Sequence, residues 1–253
     1  MRIEDIDPPR TVPGAADRIL ATLEAFGFEW DGEVRRQSLR SQAYEAALER
    51  LHAEGLSFSC SCSRASLGES ARYPGTCRAG ARDPLAPHAI RLRVEDVPVC
   101  FEDRVQGARC TRLARTLGDP IIKRRDGCYA YLLAVVVDDA DQGVTDVVRG
   151  ADLIEHTAAQ IHLQRALALA SPRYAHVPAL LEPDGSKLAK SARSVSLDPR
   201  RAPAQLARVL GMLGITPPAA LAAGPVEALW EWAIEHWRID AIPAGLTRRV
   251  PHD

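Results

Sequence analysis

One run of residues constrains the fold more than any other. Residues 128–138 read CYAYLLAVVVD, are followed by a second aspartate, and are almost wholly apolar. An element without a polar face must be covered on both sides, so the rest of the chain has to build layers around it. Its length and valines suit a core strand of a parallel sheet that ends at Asp138 and Asp139. Shorter strands are predicted at 89–94, 97–101, 121–123 and 177–181, the first two with the alternation of half-buried sheet edges. Helical spacing of apolar residues predicts helices over 15–26, 41–51, 152–170, 204–213 and 226–237. The sum is an α/β fold with a short helical C-terminal segment, and 253 residues of 46% hydrophobic content suffice for one large domain with a smaller insertion.

No stretch reaches the roughly 20 apolar residues of a membrane span, and the acidic start RIEDIDPPR is unlike a signal peptide, so a cytoplasmic, monomeric protein without membrane contact is expected. In that setting clustered cysteines favour a metal over a disulfide framework. Cys60, Cys62 and Cys77 lie within 18 residues of one another, in a segment too rich in Gly and Arg to form its own core. A metal would tie that segment together. The residues alone leave His88 and Cys100 open as the fourth ligand, since structural zinc sites normally use Cys and His. Cys100, Cys110 and Cys128 have no ligand spacing and read as structural.

The net charge of −1 hides an uneven distribution: residues 64–125 hold thirteen Lys/Arg against seven acids. Such a field can steer a phosphate-rich partner, or it can be no more than a solvated Arg-rich face. Only three lysines occur beside 29 arginines, and two of them, Lys187 and Lys190, stand three apart in the Gly-containing loop GSKLAKS. Ammonium groups so placed reach phosphate oxygens and suit a pyrophosphate leaving group.

This loop resembles the KMSKS loop of class I aminoacyl-tRNA synthetases, with Leu188 and Ala189 at its Met and first Ser positions. RIEDIDPPR, AYLLAVVVDD and VVRGADLIEHT follow the pattern of the glutamate-specific branch in order and spacing, so four motifs cover about 190 residues. Within that branch the chain is most similar to the shortened glutamyl-queuosine tRNA(Asp) synthetase group, which lacks anticodon-binding domains. The resemblance implies a Rossmann-type class I catalytic core in segments 1–56 and 119–200, a zinc-binding insertion at 57–118 and helices over 201–253. It implies ATP-dependent activation of L-glutamate, with Mg2+ accompanying ATP, and transfer to the queuosine base of tRNA(Asp).

The resemblance also assigns roles. Glu4 would hold the α-amino group of glutamate, with Tyr131 and Arg149 as the other glutamate contacts. A guanidinium can bind the side-chain carboxylate bidentately in a partly dry pocket. Lys187 and Lys190 would be catalytic, Lys190 also binding ATP, and Cys60, Cys62, Tyr73 and Cys77 would hold Zn2+. Asp138 and Asp139 stay unassigned. Trp230, Trp232 and Trp237 read as helix packing, and His52, His156, His162, His176 and His236 as isolated.

The family's HIGH-like turn, expected about 40 residues before RIEDID, is not in this sequence. Met1 falls where Leu or Val is common, so a start assigned too far downstream is the favoured reading. A fragment of an ordinary glutamyl-tRNA synthetase and a non-catalytic, zinc-stabilised RNA-binding remnant are the alternatives.

Overall fold

The computed structural model describes residues 1–63, 67, 72–181, 185 and 197–249. Strand β1 (Arg2–Ile3) pairs in parallel with β2 (Arg35–Arg36) across the helix α1 (Ala15–Ala25). Helix α2 (Ser41–Ala53) leads into β3 (Ser57–Cys60), which is antiparallel to β4 (Ala89–Leu92). After the hairpin of β5 (Val99–Asp103) and β6 (Gly107–Thr111), β7 (Ile121–Lys123) returns to the free edge of β4. Helix α3 (Tyr131–Asp141) then precedes β8 (Asp146–Gly150), α4 (Ile154–Ala166) and β9 (Arg173–Val177). Strands β8 and β9 are parallel and joined through α4, and β9 also pairs with β5, giving the mixed order β6-β5-β9-β8. Strand β10 (Ala179–Leu181) pairs in parallel with β11 (Thr247–Arg249), and α5 (Ala202–Met212) and α6 (Val226–His236) lie between them in sequence. Strands from 57–118 therefore pair outside that segment, β4 with β7 and β5 with β9.

The apolar run is a helix, which corrects the strand expected there. A continuous apolar stretch fits either element equally well on periodicity, and packing decides. Leu133, Ala134, Val135, Val136 and Val137 are all buried in the main core with Tyr44, Leu48 and Leu51 of α2, Leu92 of β4, Ile122 of β7 and Leu163 of α4. Surrounded in this way, the run overrides the strand preference of its valines. Its stop signal is local. Gly143, at φ +65°, donates to the Ala140 carbonyl, and Val144 to that of Asp139.

Asp138 is the polar anchor of this core. Fully buried, it accepts from Gln37 Nε2 at 2.8 Å, Tyr44 Oη at 2.8 Å and Arg40 Nε at 2.5 Å, which fastens α3 to α2 and the turn before it. A second core holds the tail. Leu206, Leu210, Leu229 and Ala233 bury against Phe26, and Trp230 Nε1 donates to the Phe26 carbonyl at 2.8 Å. Trp230 and Trp232 thus pack as expected, whereas Trp237 is substantially exposed. Cys100 and Cys110, facing one another across β5 and β6, form a disulfide. No helix among the described residues is long and apolar enough to cross a membrane.

Asp138→Ala leaves the Gln37 and Tyr44 donors and Arg40 Nε without their buried acceptor, although Arg40 keeps its pair with Asp141. The substitution should lower the unfolding free energy by about 3–5 kcal/mol, read from urea titration.

Candidate active site

Glu4, Tyr131 and Arg149 come from three separate elements and converge. Glu4 directly follows β1, and Tyr131 opens α3, so it is a helix N-terminal residue where a strand residue was expected. Arg149 lies near the C-terminal end of β8, the end of a parallel strand where α/β folds place ligands. Arg149 Nη1 stands 3.5 Å from the Tyr131 hydroxyl. Burial pushes the Tyr131 phenol up; the Arg149 charge opposes this, and the Glu4 and Asp139 charges add to it, so all three lie within electrostatic reach of the hydroxyl.

Each group is held by others. Arg2 donates to Glu4 Oε1 from Nη2 at 3.0 Å and to Asp139 Oδ1 from Nη1 at 2.6 Å, so Asp139, unassigned from sequence, positions the arginine that positions Glu4. Arg149 Nε donates to His176 Nε2 at 3.0 Å, and its Nη2 donates to Thr157 Oγ1 at 2.9 Å and Gln160 Oε1 at 2.7 Å. Nε and Nη2 are thereby engaged, which leaves Nη1, beside the Tyr131 hydroxyl, as the open part of the fork. A carboxylate there would meet Nη1 and the phenol rather than a free bidentate edge.

His176 is not isolated, contrary to the sequence reading. It is fully buried in β9, in register with Arg149 of β8, and its Nδ1 lies 2.5 Å from Asp103 Oδ2. Burial lowers the His176 pKa below its ordinary value and the Arg149 charge lowers it further, against the opposing pull of Asp103. Burial pushes the Asp103 carboxyl up, but the His176 ring and the amides of Gln106, His176 and Val105 outweigh it and hold it below the ordinary carboxylate value. Thr157, Gln160, His176 and Asp103 are the site residues that sequence reasoning missed. Only the three-residue spacing of Thr157 and Gln160, one face of a helix, signalled them.

A family model described as tRNA synthetases class I (E and Q), catalytic domain, matches residues 1–221. The chain belongs to this synthetase family. The Glutamyl-Q tRNA(Asp) synthetase of Pseudomonas paraeruginosa is 52% identical over 250 residues, 98% of this chain and 84% of that protein. Its namesake in Chromobacterium violaceum is 49% identical over 252 residues, 97% and 84% of the two chains. The solved structure of a glutamate tRNA ligase from Elizabethkingia meningosepticum, in complex with its amino acid, has a TM-score of 0.80 at 22% identity. It shows the same fold, and this chain spans 60% of its length. The expected synthetase resemblance and α/β class are borne out.

The synthetase's cysteine cluster forms a second centre. The sulfurs of Cys60, Cys62 and Cys77 all lie within 4.8 Å of one another, none in a disulfide, and could hold a metal ion. The Tyr73 hydroxyl oxygen accepts from the Cys77 amide at 2.8 Å and from Cys60 Sγ at 3.5 Å. The other candidates for a fourth ligand are engaged elsewhere: His88 Nε2 lies 2.9 Å from the Asp83 carbonyl, and Cys100 is in the disulfide. Burial pushes the Cys77 thiol up, but the amides of Arg82 and Ser61, with the Cys62 and Tyr73 side chains, outweigh it and bring it down to about 6. Tyr73 is seated by Gly118, whose φ is +71° and where a Cβ would stand 2.2 Å from the Tyr73 carbonyl oxygen. A cavity of about 360 Å³ is lined by Tyr73 beside this centre and by Tyr131 and Gln160 of the first cluster, with Arg91 among others.

Lys187 and Lys190 lie outside the described residues. Several arginines of the basic segment are committed to structure: Arg78 pairs with Asp119 and Arg115 with Asp96, while Arg91 is buried over the Tyr73 ring.

The two titrating groups give a signed pH dependence. His176 and Asp103 both have lowered pKa values in the folded state. The stability each contributes is present above its unfolded-state value, about 6.5 for His and 3.9 for Asp, and is lost as pH falls through the folded-state value. Urea midpoints of the wild-type protein should therefore decline on acidification below about pH 6.5. In His176→Leu the part of that decline between pH 6.5 and 5 should shrink.

Proposed function

We infer that the protein activates L-glutamate with ATP and transfers it to the queuosine base of tRNA(Asp). The observation that carries this reading is that opposite charges, Glu4 and Arg149, both act on the Tyr131 hydroxyl, with Arg149 Nη1 3.5 Å from it. Glu4 offers a carboxylate to an ammonium, and Arg149 offers Nη1 to a carboxylate. That arrangement fits an acidic amino acid with its α-amino group toward Glu4 and its side chain toward Arg149 and the Tyr131 hydroxyl. The names of the relatives at about 50% identity favour glutamate as the amino acid and tRNA(Asp) as the acceptor.

Chemistry at such a site is mostly positioning and charge stabilisation. Glu4, Tyr131 and Arg149 fix the amino acid so that its α-carboxylate can attack the α-phosphorus of ATP. Pyrophosphate then departs, and Lys187 and Lys190 offset its charge, Lys190 also binding ATP. Mg2+ accompanies the nucleotide. A hydroxyl of the queuosine base then attacks the adenylate carbonyl and releases AMP.

Zinc is the metal that fits the cysteine cluster. Tetrahedral zinc with bonds of about 2.3 Å to sulfur and 2.0 Å to oxygen spaces two sulfurs roughly 3.8 Å apart, and a sulfur and an oxygen roughly 3.5 Å. Cys62 and Cys77 Sγ are 3.6 Å apart, and Cys60 Sγ and Tyr73 Oη are 3.5 Å apart. Cys60, Cys62, Cys77 and Tyr73 would hold the ion, whose role is structural: it supplies the cross-link that this Gly- and Arg-rich segment lacks. The protein acts as a cytoplasmic monomer.

L-glutamate-dependent ATP–pyrophosphate exchange tests the activation step, and transfer of labelled glutamate to tRNA(Asp) with and without queuosine tests the acceptor. Arg149→Ala should reduce exchange at subsaturating glutamate by roughly 100-fold or more, as expected for a lost charge-assisted contact. Exchange that is indifferent to this substitution would sink the glutamate assignment. Elemental analysis should find one zinc per chain, lost in Cys60→Ser together with a fall in thermal midpoint.

A further inference from the structure

We propose that His176 and Asp103 are positioning residues for the amino-acid specificity of this site, acting as a tautomer lock: Asp103 fixes the ring proton of His176 on Nδ1, so that Nε2 can only accept and thereby aims the Arg149 guanidinium. The proposal rests on the glutamate reading above and deepens it.

The argument follows from donor and acceptor identity. Arginine has no acceptor, so the 3.0 Å contact from Arg149 Nε requires a bare Nε2 on His176. Thr157 Oγ1 accepts from Arg149 Nη2 at 2.9 Å and stands 3.2 Å from the same Nε2, which makes its own hydroxyl a second donor to that nitrogen. With Nε2 accepting twice, the single ring proton of a neutral imidazole must sit on Nδ1, where Asp103 Oδ2 takes it at 2.5 Å. The lowered pKa of His176 agrees with a neutral ring.

Asp103 is itself held so that it cannot turn. Its Oδ1 accepts from the amides of Val105 at 3.0 Å, Gln106 at 2.8 Å and His176 at 3.1 Å. All three are donors, so this oxygen must stay an acceptor. The residue ends β5, and His176 lies on the adjacent strand β9 next to Arg149 on β8, so the relay runs straight across three paired strands. Both side chains are essentially fully buried, and neither touches the open Nη1 of Arg149. Their effect on substrate is therefore indirect, through where the fork points.

Asp103→Asn isolates this effect. The three backbone amides keep the amide oxygen on their side, which turns the amide NH2 toward His176 Nδ1. That nitrogen must then accept, the ring proton moves to Nε2, and Nε2 faces two donors. The wild-type protein should show ring 15N shifts of an Nδ1-protonated His176, and Asp103→Asn those of the Nε2-protonated form. The calorimetric dissociation constant for L-glutamate should rise roughly 10- to 100-fold in Asp103→Asn, the loss expected of a hydrogen bond to a charged group, with the thermal midpoint much less affected. ATP binding should not change.

A wild-type His176 protonated on Nε2 overturns the proposal whether or not the variant folds. So does a folded Asp103→Asn with glutamate affinity within twofold of wild type while Arg149→Ala has lost it. If Arg149→Ala also binds glutamate normally, the underlying reading of the site falls as well.

Discussion

A carboxylate without solvent is tolerated only when its oxygens are fully engaged, and Asp138 meets that condition by drawing donors from outside its own helix. This requirement fixes more than stability. With Asp138 fastened to Gln37, Arg40 and Tyr44, the rotation of α3 about its axis is set, and with it the direction of Asp139, the next residue, and of Tyr131, about two turns back. Asp139 holds Arg2, and Arg2 holds Glu4. The placement of Glu4 therefore traces back through Arg2 and Asp139 to a helix fixed by a buried charge.

The opposite end is built on different terms. Arg149 is held by neutral acceptors, His176, Thr157 and Gln160, and among the described residues no carboxylate pairs with it. A formal ion pair inside the protein would have quenched the charge that an acidic ligand needs. Neutral acceptors fix a guanidinium while leaving its field outward, and Asp103 lies on the far nitrogen of the imidazole. The site is thus prepared for an incoming negative charge.

What was legible in the sequence was local. Three cysteines within 18 residues declare themselves by spacing, and helices such as α2 and α6 by their apolar period. Residues 128–138 misled because a run apolar on every side carries no phase, and valine favours strand until a surrounding core says otherwise. The informative signal lay after the run, where Gln142-Gly143 stops a helix. Glu4, Tyr131 and Arg149 came from family motifs, since no spacing joins positions 4, 131 and 149. His176 was passed over for the same reason: its partners are 27 and 73 positions away, on neighbouring strands, and pairing across a sheet is invisible until the strand order is known.

The parallel pairing of β10 with β11 has a consequence for how this protein is made. Among the described residues, β10 pairs with β11 alone, so Ala179 waits for Thr247, 68 positions later in the chain. The βαβ unit of residues 146–177, whose contacts are nearer in sequence, can close earlier. The nascent protein can thus close the sheet that carries Arg149 before β10 has met its partner strand, so the two parts of the fold are completed at different stages of synthesis.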